Sequence, residues 1–171
     1  MIKKRGLIIS IVIVLAIVWI VLFIRINKEF PSSNVCEYGI NQTISYDGIE
    51  YEVLNVEKQR TEKSQNLWND SITYTVTIRI KNNSNEDRKL EMSKFIFTRL
   101  DYANSSDLAL YEEANPEGVF LDFEEGEEKI VKFPFLVTSN LFTKKQWENI
   151  EESDWKLLLN LYPDKVMIDL K

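Results

Sequence analysis

The chain has 171 residues and a formal net charge of −6 at pH 7, with one cysteine, Cys36, and no histidine. These counts exclude an intramolecular disulfide, a Cys/His zinc cluster, a Ser-His-Asp triad and a Cys-His dyad. The negative charge also argues against nucleic-acid binding, which requires a basic patch.

The first predicted element is the uncharged apolar run of residues 7–24, which follows Lys3, Lys4 and Arg5. As a helix, this run would be about 27 Å long, close to the ~30 Å hydrocarbon core of a bilayer. It is longer than the apolar region of a cleavable signal peptide, about 7–15 residues, and no small-residue cleavage site follows it. The run therefore predicts an uncleaved transmembrane signal anchor.

The positive-inside rule places residues 1–6 in the cytoplasm and the rest of the chain outside the cell membrane. The charge difference is narrow, because three basic side chains precede the run and two, Arg25 and Lys28, follow it. A buried helix of a soluble protein is the alternative, but a β-sandwich has no room for a helix that is apolar on every face. The residues before Cys36 do not match a lipid-attachment motif.

Residues 25–36 are predicted as a linker, and residues 37–171 as one domain. Its first elements are strands at 42–46 and 49–58, joined by a tight turn at Asp47-Gly48, a dipeptide typical of two-residue hairpins. The apolar phase changes at Val53-Leu54, which predicts a β-bulge there.

The clearest strand is predicted at 71–81, where apolar side chains alternate with Thr, Arg and Lys. An Asn-rich turn follows, then an extended segment that begins at Leu90 and Met92 and continues through 95–100. Residues 101–118 are predicted to be irregular. Further strands are predicted at 119–123, 129–137, 155–161 and 165–170, with an acidic turn at 124–128 and one short helix within 143–153. Seven to nine short strands and at most one helix predict a mainly β, immunoglobulin-like antiparallel sandwich behind one N-terminal transmembrane helix.

A resemblance to a known family rests on four segments in order: ISYDGIEYEVLNVE, YTVTIRIKNNSNE, SKFIFTRLD and EEGEEKIVKFPFLV. Together they resemble the telokin-like, immunoglobulin-like extracytoplasmic domains of uncharacterised, membrane-anchored Gram-positive bacterial proteins. The resemblance covers about residues 39–170. It implies a protein-binding or accessory role in the envelope and no enzyme chemistry. Two departures are Glu125-Gly126, where members often have Pro-Gly, and the lack of a lipid-attachment cysteine.

Trp68, in a polar loop, and Trp147, in the predicted helix, are the candidate partner-contact residues, because exposed aromatic side chains favour contact with a partner. The alternative for both is that they cap the ends of the core, while Trp155 is expected inside it. The acidic residues 124–128 lack the ligand spacing of a calcium loop, so a solvated turn is expected. No catalytic, cofactor-binding or metal-binding residue is predicted.

The sequence therefore predicts a single-pass membrane protein, not an enzyme, whose external domain binds another envelope or surface component. The alternative is a structural or regulatory subunit that acts on a membrane complex through residues 7–24. An enzyme using paired carboxylates is a third hypothesis, and it would require a cleft with a strongly raised Asp or Glu pKa.

Overall fold

The computed structural model describes residues 2–29, 34–63, 69–116, 118 and 120–171. Helix α1 (Ile2–Glu29) comes first and extends past both ends of the predicted anchor. Solvent exposure is described for Gly6 and for residues 12–29 of this helix. The large apolar side chains from Val12 to Ile26 are about half exposed or more. Within the residues that the structure describes, no helix is both long enough and apolar enough to cross a membrane.

After α1, the chain forms two main β-sheets that face each other. The strands are β1 (Val35–Tyr38), β2 (Ile44–Tyr46), β3 (Ile49–Thr61), β4 (Ser71–Asn82), β5 (Arg88–Lys89), β6 (Ile96–Arg99), β7 (Tyr102–Ser105), β8 (Asp122–Phe123), β9 (Glu128–Thr138), β10 (Lys156–Asn160) and β11 (Lys165–Asp169). The strand orders are β1-β11-β10-β6-β7 and β2-β3-β4-β9, with β5 and β8 as a separate pair. The predicted mainly β sandwich is confirmed. The pairing is antiparallel, as predicted, except that β1 runs parallel to β11.

The first hairpin has the predicted turn and bulge. Asp47 and Gly48 have φ angles of 51° and 76°, the left-handed conformations that a type I′ turn requires. The register of β3 against β4 shifts between Val53 and Asn55. The inward side chains of β4 are buried as their alternation predicts, from Ile72 to Ile80.

Stacked aromatic side chains from both sheets form the centre of the core. The ring of Phe97 lies 5.0 Å from that of Tyr74, 5.0 Å from that of Phe135 and 4.4 Å from that of Trp155, between ring centroids. Trp155 is 2% exposed, so its predicted core position is confirmed. These contacts join β4 and β9 of one sheet to β6 of the other.

The prediction that residues 101–118 are irregular is wrong, because they contain β7 and helix α2 (Leu108–Ala114). Asp107 starts α2, because its Oδ1 accepts hydrogen bonds from the backbone N–H groups of Ala109 and Leu110 at 2.9 and 3.1 Å. A second short helix, α3 (Lys144–Glu148), lies in the predicted region, so the prediction of at most one helix in the domain is wrong.

Two predicted extended segments are shorter than expected. The region around Leu90 and Met92 contains the two-residue β5 and a 3₁₀ turn at Met92–Lys94. Only Asp122–Phe123 of the predicted strand at 119–123 forms a described strand. The short strands β5 and β8 form a separate antiparallel pair and extend neither sheet.

Strand β9 lies at the edge of its sheet, and the side chains that directly follow β7 and α2 cover the outer edge. Asn115 donates to the carbonyl of Lys132 at 2.8 Å and accepts from its N–H at 3.1 Å. Ser106 donates to the carbonyl of Pro134, which has no N–H of its own, at 2.7 Å. These bonds occupy backbone groups that would otherwise be free to pair with another strand.

Candidate functional site

The basal end of the sandwich is the end at which the chain enters β1. Asn34 Nδ2 donates to Asp164 Oδ1 at 3.0 Å, and the backbone N–H of Lys165 donates to the Asn34 carbonyl at 2.7 Å. Asn160 Nδ2 donates to the Asp164 carbonyl at 2.9 Å. These bonds hold the β10–β11 loop beside the point where the chain arrives from α1.

The basal pocket is a cavity of about 320 Å³ at this end. Its walls come from the β2–β3 turn, β5, the 3₁₀ turn and the end of β10. Its lining residues are Tyr46, Asp47, Ile49, Tyr51, Arg88, Lys89, Leu90, Lys94, Phe95, Ile96, Leu158, Leu159, Asn160 and Leu161. This volume lies at the small end of the range for ligand pockets, about 300–1,000 Å³, and an apolar floor with a few polar groups is typical of them.

Tyr51 supplies the most buried polar group of the pocket. Its side chain is 7% exposed, and its ring lies 6.2 Å from that of Phe95. Among the described residues, nothing forms a hydrogen bond with its hydroxyl. No described side-chain nitrogen or oxygen is both fully buried and without a partner. The Tyr51 hydroxyl therefore opens into the pocket, where it is available to a ligand.

The electrostatic surroundings of Tyr51 agree with this placement. Burial, and next the negative charge of Asp47, raise the pKa of Tyr51 to about 12, while Arg88 acts in the opposite direction. Asp47 and Arg88 both line the pocket. The hydroxyl is therefore neutral at physiological pH and can donate or accept a hydrogen bond.

The cations of the pocket differ in how far they are neutralised. Arg88 lies 3.2 Å from Glu86 and 4.0 Å from Asp47, between guanidinium nitrogen and carboxylate oxygen. Lys89 lies 3.6 Å from Asp122. Lys94 is exposed, and the described part of the chain offers it no ion pair. Lys94 is therefore the cation that a ligand can approach at least electrostatic cost.

Asn82 holds together the turns that lie beside the pocket. Its side chain is fully buried, and Nδ2 donates to the carbonyls of Glu86 and Glu124 at 2.8 and 3.0 Å. Its Oδ1 accepts from the Ser84 hydroxyl at 2.6 Å. The N–H of the next residue, Asn83, donates to the Gly48 carbonyl at 2.9 Å. This network joins the end of β4 to the β2–β3 turn and to the segment that carries Arg88.

The residues predicted for partner contact do not line this pocket. Trp68 lies outside the described residues. Trp147 is half-buried on α3, with its ring 6.2 Å from that of Phe142 and the Arg60 guanidinium 5.4 Å from its ring centroid. Its role in partner contact stays a prediction.

Sequence reasoning missed the basal pocket because its residues are far apart in the chain. The alternation of β3 places Tyr51 inward, but only the fold brings Lys94 and Leu158 to the same end. The described residues contain no group of three or more His, Cys, Asp or Glu side chains able to hold a metal ion. What the arrangement offers is an apolar floor, a neutral hydroxyl and cations at the mouth.

Comparison with known proteins gives a family and a fold. The model of a family described as a domain of unknown function, DUF5028, matches residues 36–166. The fold is similar to that of a conserved hypothetical protein from Bacillus anthracis, with 15% identity, a TM-score of 0.54 and coverage of 78% of this chain and 95% of that one. It is also similar to an uncharacterised β-sandwich protein from Clostridium difficile 630, with 16% identity, a TM-score of 0.50 and coverage of 82% and 97%. No protein of curated function matches the chain.

Proposed function

Because the chain belongs to the DUF5028 family, whose description assigns no activity, we propose a function from the site itself. The protein is a membrane-anchored, extracytoplasmic binding module that holds a component of the cell envelope in its basal pocket. The role is one of binding and not of catalysis. The observation that carries it is the hydroxyl of the buried Tyr51 side chain, which lacks a described hydrogen-bond partner and opens into a cavity with an apolar floor.

The anchor in this proposal is supported by the sequence of α1. Residues 7–24 carry no charge. The side chains of this run are described from Val12 onward. The large apolar side chains from Val12 to Ile26 are exposed around the helix, so lipid is a suitable environment for them. The resemblance to telokin-like extracytoplasmic domains and the charge difference across residues 7–24 support an external sandwich.

Co-purification from the native membrane tests the binding role. The full-length protein is extracted with its surrounding lipid by a styrene–maleic acid copolymer, and co-purifying proteins, lipids and small molecules are identified by mass spectrometry. Lys94→Glu reverses the unpaired charge at the pocket. Lys145→Glu makes the same change on α3, at an exposed position outside the pocket lining.

A component enriched by the wild type and by Lys145→Glu, but lost from Lys94→Glu, supports the proposed binding site. Identical sets of components from all three proteins contradict it. Both variants replace exposed side chains, so each is expected to fold, and a thermal melt of each protein verifies this.

The second candidate function, a regulatory subunit that acts through α1, is favoured by the exposure of apolar side chains on that helix. Replacing residues 7–24 by an unrelated apolar span separates the two functions. The binding module keeps its bound component after the exchange. Loss of a cellular phenotype with normal export and normal binding supports action through the helix instead.

A further inference from the structure

The basal pocket faces the same end of the sandwich as the connection to α1. Only residues 30–33 separate Glu29, the last residue of α1, from Asn34. Whatever their conformation, the five steps from Glu29 to Asn34 span at most about 18 Å, at roughly 3.3–3.6 Å per residue. With α1 in the membrane, Asn34 and the β10–β11 loop bonded to it stay close to the lipid surface.

The pocket combines an apolar interior with a cationic mouth. The side chains of Phe95 and Leu159 face the core, are 2% and 8% exposed, and supply apolar walls. Leu161, which also lines the pocket, is 59% exposed and extends the apolar surface outward. Lys94 adds a charge that has no partner among the described residues.

From this arrangement we propose that the basal pocket binds an anionic amphiphile, an alkyl chain that carries a carboxylate or phosphate. The alkyl chain contacts Phe95, Leu159 and Leu161, and the anionic group lies between Lys94 and the Tyr51 hydroxyl. This inference rests on the proposed function and specifies the chemistry of its ligand.

The charges around the pocket favour one anionic group over general adhesion to an anionic membrane. A flat surface of anionic lipid would also approach the acidic side chains Asp122, Glu124 and Glu127 of the neighbouring β8 turn. Those carboxylates would be repelled from such a surface. A single anionic group can reach Lys94 without approaching them.

Photolabelling of the full-length protein tests the proposal. The protein is placed in phosphatidylcholine nanodiscs together with a sixteen-carbon fatty acid that carries a diazirine on its chain. After irradiation, labelled residues are mapped by mass spectrometry. A fatty alcohol with the same diazirine chain provides the uncharged control probe.

The expected result is labelling of the segments that contain Phe95 and Leu159, in addition to α1. Because a charge-assisted contact is lost, Lys94→Glu is expected to lower labelling of the pocket about tenfold. Lys145→Glu leaves it unchanged, and Leu161→Ser lowers it without altering the melting temperature. The fatty alcohol labels the pocket more weakly than the fatty acid.

Labelling confined to α1, or equal pocket labelling of the wild type and Lys94→Glu, overturns the proposal. Equal labelling by the fatty alcohol also overturns the anionic part of it. Hexanoate is too short to stay in the bilayer. If it competes with the probe for the pocket, the ligand is assigned to free carboxylates in solution. If pocket labelling resists hexanoate, the ligand is assigned to the membrane. If photolabelling fails but a Lys94-dependent component of another chemistry co-purifies, the binding module stands and only the ligand class is wrong.

Discussion

At the residue scale, Asn82 shows how one buried amide can determine the shape of a site that it does not enter. Its nitrogen and oxygen bond two segments that lie next to the pocket residues: the turn with Ser84 and Glu86, and the turn that begins at Glu124. Its own backbone N–H and C=O bond to Glu127 and Gly126. An Asn-rich turn is visible in the sequence, but which Asn is buried depends on β8, which lies about forty residues later.

Asn82→Ala should lower the free energy of unfolding by roughly 2–4 kcal/mol, because it leaves buried carbonyls without donors. Asn83→Ala is the matched control, since Asn83 is exposed and bonds through its backbone, and its cost should stay below about 0.5 kcal/mol. Urea unfolding of the full-length protein, followed by tryptophan fluorescence, measures both. Equal costs for the two variants would show that the side-chain network is not what stabilises these turns.

The buried tyrosines predict a loss of stability at alkaline pH. Burial raises the pKa values of Tyr51 and Tyr74 from 10.0 to about 12 in the folded protein. The neutral forms are therefore favoured by folding, and their contribution is complete below pH 10 and is lost as the pH rises toward 12. Each contributes roughly 1–3 kcal/mol.

Urea unfolding at pH 8, 10 and 11.5 measures this effect, and Tyr51→Phe should flatten the decline while changing stability little at pH 8. The small change at pH 8 is expected because no described group forms a hydrogen bond with the Tyr51 hydroxyl. An unchanged pH dependence in Tyr51→Phe would mean that this hydroxyl titrates normally in the folded protein.

At the element scale, the sequence predicted the strands and turns that are specified by neighbouring residues alone. The hairpin of β2 and β3 follows from Asp47-Gly48, and β4 from its strict alternation. Helix α2 has only seven residues and follows a four-residue strand, so neither has enough length to show a period. Both are stabilised by tertiary contacts with β9, and the sequence pattern carries no sign of those contacts.

Covering the edge of β9 is the structural role that we assign to α2 and β7. Asn115→Ala removes the donor and the acceptor that occupy both backbone groups of Lys132, so a loss of about 1–3 kcal/mol is expected. The freed edge should also promote association, which light scattering detects. Asn104→Ala is the control, because Asn104 is only half-buried and its side chain donates to the Leu136 carbonyl of the same edge at 3.1 Å. If Asn104→Ala has the same effect as Asn115→Ala, burial of the edge contact is not the cause.

At the scale of the whole molecule, the two sheets depend on one aromatic centre. Phe97, on β6, is fully buried and contacts rings of β4 and β9 in the opposite sheet, so Phe97→Ala should cost roughly 3–5 kcal/mol. Phe120→Ala removes the same side chain from a position that is 73% exposed, and should change stability by less than about 0.5 kcal/mol. Thermal melts of both variants provide the comparison, and a small loss for Phe97→Ala would mean that the core repacks around the cavity.

The arrangement of the molecule places the basal pocket and the connection to α1 at the same end of the sandwich. Hydrogen bonds of Asn34 and Asn160 tie the β10–β11 loop to that end. The sequence predicted the helix and the sandwich, but the pocket could not be predicted, because it depends on which ends of the strands meet. The proposed function therefore depends most on α1 being an anchor with the sandwich outside.

Protease treatment of intact cells that express the full-length protein, tagged at its carboxyl terminus, tests that claim directly. We expect that the tag is removed from intact cells, that a cytoplasmic marker survives, and that a fragment containing α1 stays in the membrane through alkaline carbonate extraction. A tag that is protected until the cells are broken, or a protein that carbonate releases from the membrane, would contradict that claim.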